Sequence, residues 1–245
     1  MIAILLVGLF AGFLNVIVGS GSSITVPFLT FVGLPAHIAV GTNRFAMMFN
    51  NGSGAVLYHR KKVLNLRLAV ILSIFAAVGS VIGAVLSLQV SEALLNKFIG
   101  TVLIGEAIVI LLSWRKFGIQ NYFQKVTGNH YILGVILSFS IGLYGGFLGL
   151  AITSITMFIV IVLFGVRFIE SVAITKVVTF AISFFATLIF LANLKVDLVV
   201  GAIVTVAYLG GAFLGVHSAF KMGDARIKIL FLIVALASAV KLLFF

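Results

Sequence analysis

Apolar residues fall into ten runs separated by short polar breaks, at about 2–18, 22–32, 35–58, 66–88 and 98–113, then 131–150, 151–164, 168–192, 198–220 and 227–245. Helical runs of about 20 residues are long enough to cross a hydrocarbon core of about 30 Å. The run at 22–32 has only 11 residues, and Pro27 shortens it further. It reaches about 16 Å as helix and cannot cross alone. The pattern predicts an all-α polytopic integral membrane protein with short broken or re-entrant helices near residues 19–33 and 149–165. The turn Gly19-Ser20-Gly21-Ser22-Ser23 then lies at membrane depth. Non-helical backbone is tolerated there only when buried in protein or lining a wet cavity.

The ten runs form two sets of five. A shift of 132 (176 − 44) lays Gly33 on Gly165, Val40 on Val172, Arg44 on Lys176, Asn65 on Asp197, Gly79 on Gly211, Gly83 on Gly215 and Glu92 on Asp224. Upstream the shift is 130, pairing Gly12 with Gly142 and Gly19 with Gly149. An offset that matches both glycines and charge signs marks an internal duplication. Residues 1–113 are read as the first transmembrane repeat and 131–245 as the second, joined by a basic cytoplasmic linker at 114–130 that carries Arg115, Lys116 and Lys125.

Charge placement orients the halves. The connection after the third run is basic in the first half (Arg60, Lys61, Lys62, Arg67), whereas its copy sets Lys195 against Asp197. In the second half the basic bias moves to the next connection, with Lys221, Arg226 and Lys228 against Asp224. Under the positive-inside rule the repeats face opposite ways, an inverted topology with both termini outside.

Composition narrows the class. The chain has 245 residues, 63% of them apolar and 9% charged, with mean hydropathy +1.35. Soluble domains are about 25% charged, so a soluble enzyme or nucleic-acid-binding protein is excluded. The net charge of +11 sits mainly at run ends and reports orientation, not a nucleic-acid partner. With no cysteine there is no disulfide, thiolate metal site or thiol nucleophile. The first run has no basic leader and another run follows at once, so it reads as a retained segment, not a cleaved signal.

Two charges stand out. Arg44 and Lys176 each lie about nine residues inside a long apolar helix, at equivalent positions. An ionised group at that depth costs at least about 2.5–3.5 kcal/mol unless it faces a partner or a wet cavity. Inverted repeats would bring the two cations together near the midplane, where such transporters bind substrate. The competing reading has them snorkel to the interface or pair with an internal carboxylate.

The turn at 19–23 adds an argument for an anion, because it opens a helix whose first N–H groups lack intrahelical partners. Gly21 permits close backbone approach, and Ser20, Ser22 and Ser23 offer hydroxyl donors. Thr42, Asn43, Asn50, Asn51 and Ser53 accompany Arg44, as Thr175, Thr179 and Ser183 accompany Lys176. They read either as a pathway lining or as interhelical hydrogen bonds. Glu106 is the one acid well inside an apolar run, a proton carrier or, by preference, the counter-ion of a buried cation. His37, His59 and His130 lie at run ends and are expected at the interface. No histidine pair has metal-ligand spacing, and no nucleotide fingerprint or Ser/His/Asp set appears, so neither metal, cofactor nor enzymatic role is assigned.

With these residues the chain resembles the TauE/SafE sulfite exporter family. The resemblance covers nearly the whole sequence and is most specific at Gly12, Asn15 and Gly19-Ser20-Gly21-Ser22-Ser23, then Thr25-Val26-Pro27, Gly33-Leu34-Pro35 and Gly41-Thr42-Asn43-Arg44. The second half resembles the family through Gly145-Gly146-Phe147-Leu148-Gly149, Ala173-Ile174-Thr175-Lys176 and Lys195-Val196-Asp197. The resemblance implies export of small sulfur-containing anions, such as sulfite or organosulfonates, across a prokaryotic cytoplasmic membrane. Serines stand where the family has glycines in the first signature, and Arg44 where basic members often have lysine.

The expected protein is therefore a secondary transporter in the lipid bilayer, working by alternating access around a cationic midplane site. Its expected substrate-binding residues are Arg44, Lys176, Asn43, Thr42, Ser20, Gly21, Ser22, Ser23, Asn50 and Thr175, with Glu106 as coupling or counter-ion candidate. A passive anion channel and a non-transporting membrane scaffold are the alternatives, and self-association as a homodimer is left open.

Overall fold

The computed structural model describes residues 1–17, 19, 21–112 and 128–218. Ser20, most of the linker at 114–130 and the tenth apolar run with its flanking charges lie outside the described residues. Helices α1 (Ile2–Ile17), α2 (Ser22–Phe31), α3 (Ala36–Arg60), α4 (Leu66–Gln89) and α5 (Glu92–Leu112) form the first half, and α6 (Gly128–Phe147), α7 (Ile152–Phe164), α8 (Phe168–Ala192) and α9 (Leu198–Ser218) the second. No strand occurs among the described residues.

Local chemistry sets the helix ends, and sets them alike in both halves. The α4 start is capped by the Asn65 side chain, which accepts from Leu68 N at 3.2 Å. Its counterpart Asp197 caps α9, accepting from Val199 N at 3.0 Å and Val200 N at 2.9 Å. α3 and α8 each end two residues before a left-handed residue, Lys62 at φ 56° and Leu194 at φ 55°. Behind these, Val63 N donates to Tyr58 O and Lys195 N to Phe190 O, closing the last turn of each helix. α5 starts earlier than its apolar run because Ser91 caps it, accepting from Leu94 N at 3.3 Å through its hydroxyl.

Backbone contacts through glycine build the helix pairs. A methyl on Gly79 of α4 would strike the Phe139 carbonyl and Leu143 amide of α6; one on Gly211 of α9 would strike the Leu9 carbonyl and Phe13 amide of α1. Likewise Gly142 meets Ala76, and Gly12 meets Tyr208. Every partner is the shifted copy of the other, so the α4–α6 and α1–α9 crossings are the same contact made twice. Small residues that let backbones touch are how membrane helices associate.

These pairs cross the boundary between the halves. One apolar core gathers residues of α1, α2, α3, α5 and α9, with Ala84 of α4, Leu148 and Leu150 of the α6–α7 break and Ala186 and Phe190 of α8; the other gathers α4, α6, α7 and α8. α3 packs on α8 where the two cores meet. Among the described residues three helices, Leu66–Gln89, Asn129–Phe147 and Ile169–Ala192, are long and apolar enough to cross a membrane.

The exposed surface is apolar while the interior holds the polar groups. Phe213 is 68% exposed and Val206 66%, with Ile74, Val78 and Leu188 also outward, yet Arg44, Thr42 and Asn43 are 0% exposed. That distribution suits lipid, not water, outside.

Candidate functional site

The site forms where the two helix breaks meet. Gly19 (φ +80°), Gly149 (φ +65°) and Ala151 (φ 52°) adopt left-handed backbone, which ends α1 and α6 and redirects the chain into the short helices. Ala151 N donates to Ser23 Oγ at 3.2 Å, and Gly19 lies so close to α7 that a methyl there would fall 2.8 Å from Ser154 Oγ. The first turns of α2 and α7 therefore touch. Neither has a side-chain cap at its N-cap residue, so two positive helix-dipole ends share one place.

Arg44 reaches into this junction from α3. Its Nη2 donates to Gly149 O at 2.6 Å and to Leu148 O at 3.3 Å. Its Nε and Nη1 are buried and have no acceptor. The guanidinium lies flat against Gly149, where a side chain would overlap it. Among the described residues no carboxylate comes within ion-pair distance of Arg44 or Lys176; the ion pair present joins His37 and Glu92. Arg44 is thus a buried cation with three of its five N–H donors idle.

Other idle groups lie on α3 itself and on α8. Asn43 Oδ1 and Thr25 Oγ1 both hydrogen-bond the Tyr208 hydroxyl, at 2.8 and 2.7 Å. Since the amide oxygen only accepts, Tyr208 donates to Asn43 and accepts from Thr25. Asn43 Nδ2 remains a buried donor without a partner, as does Thr175 Oγ1. The second is explained by the duplication: Thr175 is the copy of Asn43, but the copy of Tyr208 is Ala76, which has no hydroxyl to offer.

Lys176 takes a different route from its copy. Its Nζ donates to Asn51 Oδ1 at 3.2 Å, and its stem lies along Gly54 of α3. Arg44 grips the break of the other half, whereas Lys176 grips a helix. Replacing Lys176 by methionine removes a buried charge at nearly constant volume. Melting in detergent should hold or rise, because the desolvation penalty vanishes, while anion exchange falls by at least about tenfold, or ~1.4 kcal/mol. Unchanged exchange would remove Lys176 from the site.

Several expected site residues have structural partners. Thr42 Oγ1 accepts from Asp197 N at 2.9 Å and ties α3 to the α8–α9 turn. Asn50 Oδ1 accepts from Asn15 Nδ2 at 2.9 Å, an interhelical bond to α1. Ser22 and Ser23 are buried at the start of α2, beside Gly21, which packs on Ala11 and Asn15. Among the described residues Glu106 forms no ion pair with either cation: it neighbours Ser23, and its Oε2 is buried without a partner. His37 lies at the start of α3 and is buried there, 6% exposed, with Nδ1 on Glu92 and Nε2 on Ser87 O at 2.8 Å. Among the described residues no three His, Asp or Glu gather as a metal site.

Sequence reasoning missed Tyr208 and Tyr144, which count as apolar in any hydropathy pattern. Tyr144 OH donates to Leu150 O at 2.9 Å and stands within electrostatic reach of both Arg44 and Glu106. Their signal was a hydroxyl beside the glycine seams, at Tyr144-Gly145-Gly146 and two residues before Gly210-Gly211.

Comparison with known proteins agrees with this architecture. The family described as sulfite exporter TauE/SafE matches residues 4–242. A probable membrane transporter protein ORF9 of Sinorhizobium is 30% identical over 99% of this chain and 92% of its own. Probable membrane transporter proteins of Haemophilus influenzae and Escherichia coli K12 (YfcA) are each 26% identical over 97% of this chain, and over 92% and 87% of their own. No solved structure matches the chain. A match across nearly all residues, on an all-helical chain with apolar outer faces, places it as a membrane transporter that belongs to the TauE/SafE sulfite exporter family.

Proposed function

We propose that the protein is a secondary transporter of small sulfur-containing oxyanions, such as sulfite or organosulfonates, in the cytoplasmic membrane. The observation that carries the reading is the Arg44 guanidinium: fully buried, unpaired with any described carboxylate, and holding two nitrogens without an acceptor. An oxyanion with several acceptor oxygens supplies what Nε, Nη1, Asn43 Nδ2 and Thr175 Oγ1 lack. The paired first turns of α2 and α7 add favourable dipole ends at the same place. A planar guanidinium fork suits a sulfonate or sulfite face better than a point charge does.

Alternating access follows from the duplication. Two repeats of inverted topology, with both termini outside, carry equivalent cations to one midplane region. Because each apolar core is built from helices of both halves, the bodies that rock are the α1/α2/α3/α9 and α4/α6/α7/α8 groups, hinged along α3 and α8. Arg44 spans them, since it belongs to α3 and holds the α6–α7 break.

Purified protein in proteoliposomes tests the proposal. Sulfite, sulfate, thiosulfate and sulfoacetate are compared with acetate for saturable counterflow and for a rise in melting temperature. A ligand at a hundred times its Kd stabilises by about 2.7 kcal/mol, which a melt detects easily. Saturable exchange of at least one sulfur anion is expected. Unsaturable flux without counterflow would indicate a channel, and no flux at all would leave a scaffold.

A further inference from the structure

We infer that Glu106 is a proton-binding site coupled to the anion, so that a proton travels with the anion in the same direction. The inference rests on the transport reading above and adds its coupling ion.

The geometry begins at Ser23. Its oxygen accepts from Ala151 N, so its single hydroxyl hydrogen is left to turn toward the neighbouring Glu106 carboxyl. Glu106 is thereby tied to the point where the two helix breaks touch. Its other oxygen, Oε2, is buried and has no partner. Among the described residues no Lys, Arg or His forms an ion pair with it. A carboxylate in that position would be a buried, half-solvated charge, whereas the protonated acid is neutral.

The groups that face Glu106 are few. Ser23 of α2 does not titrate. Tyr144 of α6 is within electrostatic reach of Glu106 and of Arg44, and its hydroxyl donates to Leu150 O in the same break. Arg44 of α3 reaches that break at Gly149 O and has idle donors. Ionised Glu106 and an anion held by Arg44 would both place negative charge beside the same helix break, which Ser23 touches at Ala151 and Arg44 at Gly149, and so repel one another. Protonation of Glu106 removes that repulsion, and an anion on Arg44 favours protonation of Glu106. By linkage the two effects are equal in size. The proton comes from the water on the side to which the site is open and leaves with the anion on the other. A proton needs one oxygen, whereas a sodium ion needs several, and only Ser23 joins Glu106 in the described contacts.

Counterflow at equal pH is measured first, with sulfite, sulfate, thiosulfate and sulfoacetate, and then repeated under an imposed pH gradient. Wild-type protein should accumulate the exchanged anion on the alkaline side. Its anion affinity, from melting shifts with the same anion, should rise as pH falls, by up to about tenfold per pH unit for one linked proton. Sulfate and thiosulfate keep their charge through this range, so their pH dependence reports the protein. In Glu106→Gln, counterflow should persist while accumulation and pH dependence vanish. Glu106→Asp serves if the amide variant does not fold, and should retain gradient-driven accumulation. Counterflow in wild type that ignores the pH gradient, or follows a sodium gradient instead, overturns the proton site alone. Absence of counterflow for all four anions overturns the transport reading itself.

Discussion

Arg44→Ala should lower anion exchange at least about 100-fold, a loss of ~2.7 kcal/mol, and leave a helical protein that still enters detergent micelles as one species. The side chain supplies the charge and two idle nitrogens, and no described neighbour can replace them. Its removal also frees the Gly149 and Leu148 carbonyls, which lose their donor at 2.6 and 3.3 Å. Part of the effect is therefore positional, through the α6–α7 break. Arg44→Lys separates the two parts. An ammonium restores the charge, but from its shorter, non-planar head it cannot hold both carbonyls and an anion in one plane, so recovery should stay below about a tenth of wild type. Exchange by Arg44→Ala within about twofold of wild type would remove the guanidinium from the mechanism.

Gly142→Leu and Gly12→Leu should both destabilise the fold strongly, by about 3 kcal/mol or more, read as loss of monodisperse protein and a lower melting temperature. Each glycine lies against the backbone of the opposing helix, at Ala76 and Tyr208, and backbone cannot rotate out of the way as a side chain can. Gly105→Leu is the control, because nothing lies within 4 Å of the position its Cβ would take. Gly12→Leu should also weaken anion binding in whatever protein folds, since the backbone it displaces carries the Tyr208 hydroxyl that orients Asn43. Equal tolerance of all three substitutions would mean that the crossings are not the contacts that hold the bundle.

The helix ladder was legible because burial in lipid imposes length and apolarity on each segment separately. α8 matches its apolar run at both ends, and α3 begins and ends within two residues of its own. α5 was harder: Glu92, Asn96 and Lys97 made its first turns look like connection, while the Ser91 cap and apolar Leu95 and Ile99 draw them into the helix. Arg44 was legible as charge out of place. Its partner was not, since a carbonyl such as that of Gly149 belongs to every residue and leaves no mark in composition. The same reason hid the role of Tyr208. The partners of His37 were hidden as well, since nothing at a run end shows that Glu92 and Ser87 fold over it. Neighbour choice among helices was wholly illegible, because hydropathy says which residues avoid water but not which helix they meet.

The glycine seams have a consequence for how the chain comes into being. α1 meets its mate α9 only after almost the whole sequence has been made, and α4 waits for α6 across the linker. A ribosome delivering the N-terminal half leaves two grooved helices in the bilayer with their mates still untranslated. The molecule closes like a pair of clasped hands at the end of synthesis, and neither hand alone is a finished object.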